Sequence, residues 1–150
     1  MIDEKRPYRR IEIDKLFTKA KGVMHAAALL RGKAKGFDQA HYQDIYTGKD
    51  LLGGDPYDYE HIRSSEEIHS RYKSVLTDDQ IAFVVNCPEN VGVTLSFINK
   101  SKGKRRMEDW LSKPANVAAN QIDLKLTIAN LKKADEGIER IAKELSNIKF

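Results

Sequence analysis

Residues 57–104 contain the side chains of this sequence that are best suited to phosphodiester chemistry. Asp58, Glu60 and His61 lie within one short run, and Asn90 and Asn99 follow later in the chain. Hydrolysis of a phosphodiester needs a base that activates water and a divalent cation held by hard oxygen ligands. His61 suits the base because an imidazole ordinarily titrates near neutral pH. The carboxylate of Glu60 and the amide oxygen of Asn99 suit Mg²⁺ or Mn²⁺.

The acidic and imidazole groups of this run face opposite ways in a regular strand. Successive strand side chains alternate between faces, so Asp58 and Glu60 share one face and His61 takes the other. A twist at the end of the strand would bring a carboxylate and the neighbouring imidazole to one phosphate. The acid–histidine pair alone is a weak signal, and its weight depends on the residues around it.

A run of cationic side chains follows Asn99 directly. Its members are Lys100, Lys102, Lys104, Arg105 and Arg106. Residues 100–113 carry six Lys and Arg against two Asp and Glu, whereas residues 49–90 carry four against nine and residues 1–34 carry nine against four. An acidic centre between basic flanks suits a site that holds a cation while its flanks hold a polyanion. A solvated loop is the alternative interpretation of the basic run.

Taken in order, these motifs resemble the HNH nucleases of the ββα-metal fold. The sequence looks most like the HNH domain of RNA-guided CRISPR effector nucleases and more loosely like restriction and colicin-type HNH DNases. Residues 46–51 resemble the first β-hairpin of the family, and residues 57–62 resemble its second strand, which an acid–His pair ends. Residues 99–103, Asn-Lys-Ser-Lys-Gly, are similar to the signature on the family's helix. The resemblance covers residues 44–104.

The resemblance implies a role for each matching residue. His61 would deprotonate the attacking water, and Asn90 would brace the loop that orients His61. Glu60 and Asn99 would bind one Mg²⁺ or Mn²⁺, which stabilises the leaving 3′ oxygen. The basic run would contact the nucleic-acid backbone beside the metal. The resemblance also implies that the chain around Asn99 is helical and faces the hairpin.

Two departures from the family pattern concern metals. The residue before the histidine is usually Asp and here is Glu60, so Asp58 is the alternative ligand, with Glu60 preferred. Many HNH proteins also carry Cys-x-x-Cys at the start of the hairpin, where this chain has Asp44 and Thr47. The lone cysteine, Cys87, cannot form a Cys₂ or Cys₄ zinc site. We therefore expect no structural zinc and a ribbon supported by packing against the flanking helices.

The fold expected from these patterns is a single α+β domain over residues 1–150. Residues 12–31 and about 115–146 carry the apolar stripes of two flanking helices. Residues 41–62 are rich in Tyr, Ile and Leu between glycines, which is typical of a small antiparallel ribbon. The ββα-metal core is expected at about residues 41–112.

Shorter elements are expected between the ribbon and the C-terminal helix. Ser64 starts a helix, to about Leu76, with the spacing of a capping box, and Thr77 and Gln80 repeat that spacing ahead of residues 81–85. Residues 81–85 fit a short helix or a strand, and residues 91–98 are ambiguous on periodicity alone. A short helix is expected over residues 107–111 before Pro114.

Composition excludes several classes of protein. Hydrophobic residues are 41% and charged residues 32% of the 150, which is typical of a globular chain and not of a disordered one. The sequence contains no window of 18 apolar residues, so no membrane-spanning helix is predicted. The first seven residues lack the apolar region of a secretory signal. We therefore expect no membrane partner.

These inferences favour a metal-dependent endonuclease that hydrolyses DNA. The alternatives are an RNase and an HNH-like domain that binds nucleic acid or a partner without cleaving. The unit fits a toxin module paired with an acidic immunity protein, or a component of phage, restriction or CRISPR-type machinery whose partner supplies specificity. The expected location is the cytoplasm or, for a toxin, a target cell into which it is delivered.

Overall fold

The computed structural model describes residues 2–147, which form a mixed arrangement of helices and small antiparallel sheets. Within these residues there are seven α-helices and four strands. In chain order they are α1 (Ile11–Ala34), β1 (His41–Gln43), β2 (Asp50–Leu52), β3 (Tyr57–His61), α2 (Ser65–Tyr72), α3 (Asp78–Val85), β4 (Val91–Leu95), α4 (Ser96–Lys102), α5 (Met107–Leu111), α6 (Pro114–Ala119) and α7 (Leu124–Ser146), with a 3-10 turn at Pro88–Asn90. None of these helices combines the length and the hydrophobicity that a membrane crossing requires.

The predicted N-terminal helix is confirmed and is longer than its apolar stripe. α1 continues to Ala34, and Gly36 follows with a φ of 84°, a conformation that glycine adopts without strain. Gly32 does not end the helix but is buried in its last turn. A Cβ at Gly32 would overlap the carbonyl oxygen of Gln39, so glycine is required where the chain turns back towards β1.

The single ribbon expected over residues 41–62 is wrong, because these residues are divided between two sheets. β1 pairs with β2, whereas β3 pairs antiparallel with β4, from which residues 62–90 separate it. The glycines that precede β3 mark the boundary between the two sheets and not a turn within one ribbon. Alternating side chains predict a strand but do not specify which other strand it pairs with. Here the partner of β3 is distant in sequence.

The ambiguous residues 91–98 divide at Ser96 into the end of a strand and the start of a helix. β4 lies beside β3 with Val91 opposite His61 and Gly92 opposite Glu60. α4 begins immediately after β4, so this strand leads directly into a helix that follows the β3–β4 pair. That helix carries Asn99 and faces β3, as the resemblance implied.

Helices α2 and α3 occupy the connection between β3 and β4, and both begin at the predicted caps. The hydroxyl of Ser64 accepts the backbone N–H three residues later, at 3.1 Å. Thr77 and Gln80 form both halves of a capping box, with hydrogen bonds of 2.9 and 3.2 Å. Residues 81–85 are therefore helical.

The predicted long C-terminal helix is confirmed, but it begins at Leu124 and not at about residue 115, because residues 114–119 form a separate short helix. Gln121 has a φ of 53° between α6 and α7, and the side chain of Asp123 caps α7. The backbone N–H of Asp123 and the hydroxyl of Thr127 donate to the carbonyl oxygen of Tyr46, at 2.8 and 3.0 Å. This tertiary contact outweighs the local helical pattern.

Three clusters of buried apolar side chains hold the elements together. The first lies between α1, α2, α3 and α7. The second surrounds Trp110 and joins α4, α5 and α7. The third surrounds Tyr42 and joins α1 to β1, β2 and β4. The second and third clusters enclose the two strands and the helix that carry the candidate site.

A buried carboxylate replaces the first cysteine of the Cys-x-x-Cys pattern. Asp44 accepts the backbone N–H groups of Tyr46 and Thr47 at 2.8 and 3.1 Å, and that of Leu95 at 3.0 Å. It also accepts the hydroxyl of Thr94 at 3.0 Å. Asp44 is fully buried. The turn between β1 and β2 is thus bonded to the junction of β4 and α4, in addition to the packing that we predicted.

Asp44→Ala should lower the free energy of unfolding by about 3–5 kcal/mol, because each buried donor left unsatisfied costs about 1–3 kcal/mol. Asp44→Asn keeps one acceptor oxygen and should cost less. Urea unfolding measures both losses. Asp38→Ala, on the exposed loop after α1, is the matched control and should change stability by less than about 0.5 kcal/mol. Equal effects of the two Asp→Ala substitutions would contradict the role of Asp44.

Candidate active site

A cavity of about 350 Å³ brings together three of the predicted catalytic and metal-binding residues. His61 and Glu60 contribute from the end of β3, and Asn99 contributes from α4. The rim carries cationic side chains: Arg10, Lys104, Arg105 and Arg106. The cavity therefore places an imidazole, a carboxylate and an amide beside groups that attract anions.

His61 is held on one side by α1 and on the other by the end of α3. Its ring lies 4.1 Å from the ring of Phe17, centroid to centroid, at an angle of 38°. Its Nε2 is 2.8 Å from Oδ1 of Asn86. Burial lowers the pKa of His61 to about 4, which the hydrogen bond to Asn86 only partly offsets. The imidazole is therefore neutral at pH 7.

The hydrogen bonds of Asn86 define which nitrogen of His61 carries the proton. The amide nitrogen of Asn86 donates to the carbonyl oxygens of Ile13 and Ala82, at 3.1 and 2.9 Å. Its oxygen therefore faces His61 and accepts from Nε2–H. A neutral imidazole protonated at Nε2 leaves Nδ1 as a proton acceptor.

Asn90 lies directly behind the loop that follows His61. Its Oδ1 accepts the backbone N–H of Arg63 at 2.7 Å, and its amide nitrogen donates to the carbonyl oxygens of Arg63 and Val85 at 3.1 and 2.8 Å. The side chain is fully buried, and both its amide oxygen and its amide nitrogen are hydrogen-bonded. Asn90 thus fixes the backbone two residues after His61.

Glu60 and Lys102 form a buried ion pair at one wall of the cavity. The Lys102 Nζ donates to Oε1 of Glu60 at 2.8 Å, and only about 5% of each side chain is exposed. The other oxygen, Oε2 of Glu60, is buried and lies outside the contact with Lys102, and the buried Tyr46 hydroxyl faces the Glu60 carboxylate. Burial, followed by the charge of Glu60, raises the pKa of the nearby Tyr46 phenol well above its ordinary value.

Asp58 contacts α4 instead of the cavity. Its two carboxylate oxygens accept the hydroxyl of Ser96 and the amide nitrogen of Asn99, each at 3.0 Å. Within the described part of the chain, Asp58 does not line the cavity that Glu60 and Asn99 share. This contact turns the amide nitrogen of Asn99 towards Asp58 and positions α4 on β3.

The residues around the cavity fit a hard divalent cation through mixed oxygen donors. No group of three His, Cys, Asp or Glu side chains among residues 2–147 could hold a metal ion by itself. The carboxylate of Glu60 and the amide oxygen of Asn99 are nevertheless hard donors that border one cavity. A buried carboxylate needs a compensating cation or donor, and a divalent ion could supply that compensation.

The predicted basic run contains side chains in three different situations. Lys104 and Arg105 are exposed at the rim of the cavity, and Lys100 is exposed on α4. Arg106 also lines the rim but pairs with Glu67 at 2.9 Å. Lys102 is buried and contacts Glu60, so its ammonium differs from the others in having an internal partner.

Arg63 is a structurally important residue that sequence reasoning missed. Its guanidinium forms paired hydrogen bonds with Glu108 at 2.6 and 2.7 Å, and with Asp135 at 2.8 and 3.0 Å. It lies two residues after His61 and is 4% exposed, so it fastens the end of β3 to α5 and α7. The signal for this role in the sequence was an arginine directly after the predicted strand of residues 57–62.

Phe17 and Asn86 were also missed, because each lies outside the motifs. Phe17 belonged to the apolar stripe of α1, and nothing in its spacing distinguished it from core residues. Asn86 ends an apolar helix, a position where a capping or hydrogen-bonding role is common.

The other histidines, together with Tyr57 and Tyr59, are exposed or make packing and hydrogen-bonding contacts. His25 is exposed on α1, His41 is 3.0 Å from Asp50, and His69 packs edge-on against Tyr8. Tyr57 and Tyr59 pack with Tyr42 in one aromatic cluster, in which the hydroxyls of Tyr42 and Tyr59 are 2.5 Å apart.

No protein-family model, curated protein or solved structure matches this chain.

The contact between Arg63 and Glu108 should make the protein sensitive to acid. Hydrogen bonds from Arg63 lower the pKa of Glu108 from 4.5 to about 2. The contribution of Glu108 to stability is therefore complete above pH 4.5 and is lost as the pH falls from 4.5 towards 2. Urea unfolding at pH 7 and pH 3 should show a smaller loss of stability on acidification for Glu108→Gln than for the wild type.

A double-mutant comparison provides the control for Glu108. In an Arg63→Met background, Glu108→Gln should change the difference between pH 7 and pH 3 much less than in the wild type, since only the longer, 3.7 Å contact with Arg106 remains. An equal loss on acidification in the wild type and Glu108→Gln would contradict the contact.

Proposed function

We propose that this protein is a metal-dependent endonuclease of the HNH type. The observation that carries the proposal is the meeting of His61, Glu60 and Asn99 at one cavity with a cationic rim. His61 and Glu60 lie on β3 and Asn99 lies on α4, and β4 pairs with β3 and leads into α4, an arrangement that supports the proposal. Neither element order nor residue type alone supports the proposal as strongly as the two together.

In the proposed reaction, Nδ1 of His61 takes the proton from water. The water oxygen attacks the phosphorus of a phosphodiester, the bond from phosphorus to the 3′ oxygen breaks, and that oxygen is protonated from solvent. A low pKa keeps Nδ1 free of a proton at neutral pH, at the expense of basicity. Asn86 retains the proton on Nε2 and so keeps the accepting nitrogen available.

Other side chains of the chain orient the reacting groups. Asn90 holds the loop after His61, and Asp58 turns Asn99 so that its amide oxygen remains available. Glu60 and Asn99 would hold Mg²⁺ or Mn²⁺. When bound, such an ion stabilises the negative charge that develops on the phosphate and on the leaving oxygen.

The cationic rim supports a nucleic-acid substrate. Four cationic side chains, Arg10, Lys104, Arg105 and Arg106, border the cavity beside His61. Contacts of this kind bind the phosphate backbone and carry no sequence information. We therefore propose DNA as the substrate, with a specificity subunit or an acidic immunity protein as the protein partner of the same surface.

Cleavage of plasmid DNA tests the proposal directly. The wild type should cut DNA with Mg²⁺ or Mn²⁺ and stop when EDTA is added. His61→Ala should decrease the rate by about 10²–10⁴-fold, the contribution of a general base. His25→Ala, an exposed histidine on α1, is the matched control and should retain full activity.

Two outcomes would contradict this proposal in different ways. A decrease of less than about threefold for folded His61→Ala is far below the contribution of a general base and would exclude that role. Absence of cleavage of DNA and RNA with any divalent ion would exclude the nuclease, leaving a domain that binds without cutting.

The rim should dominate binding of duplex DNA. Replacing Lys104, Arg105 and Arg106 by Ala should weaken binding and reduce the salt dependence, whose slope is about −0.9 per neutralised phosphate. The control replaces Lys125, Lys132 and Lys133, three exposed lysines of α7, by Ala and makes the same change in charge. Fluorescence anisotropy between 50 and 200 mM salt, about the range over which counterion release is measured, compares the two. Equal salt dependences for the two triple variants would indicate that the rim is a solvated loop that does not bind DNA.

A further inference from the structure

The ion pair between Glu60 and Lys102 occupies the carboxylate that the proposed function assigns to the metal. Lys102 is on α4, three residues after Asn99, and its Nζ lies 2.8 Å from Oε1 of Glu60. A second contact, 3.4 Å to the carbonyl oxygen of Ile62, holds the ammonium at the end of β3. The cavity therefore already contains a positive charge of the chain's own at its acidic wall.

Burial makes this pair energetically significant. Glu60 is 6% exposed and Lys102 is 4% exposed, so water screens their attraction weakly. Removal of one partner from a buried pair leaves the other charge uncompensated, which is strongly unfavourable. Glu60 thus requires a cation, and the chain supplies one when no metal is present.

A divalent ion and the Lys102 ammonium would compete for one carboxylate. Both need its negative charge, and two cations close to the same oxygen atoms repel each other. The flexible stem of a lysine permits its ammonium to move away, towards solvent, when a stronger cation arrives.

We propose that Lys102 is an internal competitor of the metal, which holds Glu60 in the metal-free protein and must leave it when the ion binds. This inference rests on the metal site of the proposed function. It assigns Lys102 a role different from the phosphate contact predicted from the sequence: Lys102 sets the metal concentration at which the site fills.

Measurement of Mn²⁺ affinity by electron paramagnetic resonance tests the competition without an activity assay. An opposite charge within about 4–6 Å changes the proton affinity of a carboxylate by about 10- to 1,000-fold. By the same attraction, Lys102→Met should bind Mn²⁺ at least about tenfold more tightly than the wild type. Lys102→Arg, which keeps the charge, should remain near the wild type.

Two controls separate the ion pair from general electrostatics. Lys100→Met removes an exposed charge from the same helix and should leave the Mn²⁺ affinity unchanged within about twofold, because exposed charges are screened. The double variant Glu60→Gln/Lys102→Met is free of an uncompensated buried charge and should bind Mn²⁺ more weakly than the wild type. Unchanged or weaker binding by Lys102→Met would overturn the proposal.

A measurement on the wild type avoids dependence on the folding of Lys102→Met. Mg²⁺ should increase the rate at which a lysine-reactive acylating reagent modifies Lys102, mapped by mass spectrometry, and should leave the rate at Lys100 unchanged. Continued protection of Lys102 at saturating Mg²⁺ would overturn the proposal, even if DNA is cleaved. Exposure of Lys102 by Mg²⁺ without cleavage of DNA or RNA would instead retain this inference and exclude the nuclease.

Discussion

The candidate site depends above all on the closure of β3 against β4 by the buried side chain of Asn90. Residues 62–90 lie between these strands, and a connection of that length does not by itself determine where the second strand pairs. The Asn90 side chain bonds to both backbone groups of Arg63, which extends the hydrogen bonding beyond the strand pair to the second residue after His61. An amide does this because it offers a donor and an acceptor at one end of a short side chain. The orientation of His61 and the arrival of α4 both follow from this closure.

Local signals predicted those parts of the fold whose cause is local. Ser64 and Thr77 start helices because their side chains satisfy backbone N–H groups within the same turn, and this needs no partner elsewhere. The break before α7 was missed because it depends on Tyr46, whose carbonyl oxygen is far away in sequence. The partner of β3 was missed for the same reason. The periodicity of hydrophobic residues predicts whether a segment is a helix or a strand. Which strands pair, and where a helix begins or ends, often depends on contacts that form only in the folded chain.

The site was predictable to the extent that its residues belong to ordered motifs. His61, Glu60 and Asn99 were expected together because of their order and spacing, and they line one cavity. Phe17 and Asn86 come from helices on either side, and their contact with His61 depends on how those helices pack. Such residues control the pKa and the tautomer of the imidazole. Residues that share a motif are therefore easier to place together from a sequence than the neighbours that distant helices pack against them.

In the proposed function, the arrangement of charge around the cavity would link the binding of the substrate to the state of Glu60. While Lys102 neutralises Glu60, the field at the cavity is dominated by the exposed cations of the rim, including Lys104 and Arg105. A free carboxylate in the same place would repel a phosphate, and at short range in a weakly screened cavity that repulsion would be substantial. The buried pair thus lets a polyanion approach a site that contains a carboxylate. Lys102 contacts only Oε1 of Glu60, and the remaining capacity of the carboxylate faces the buried hydroxyl of Tyr46.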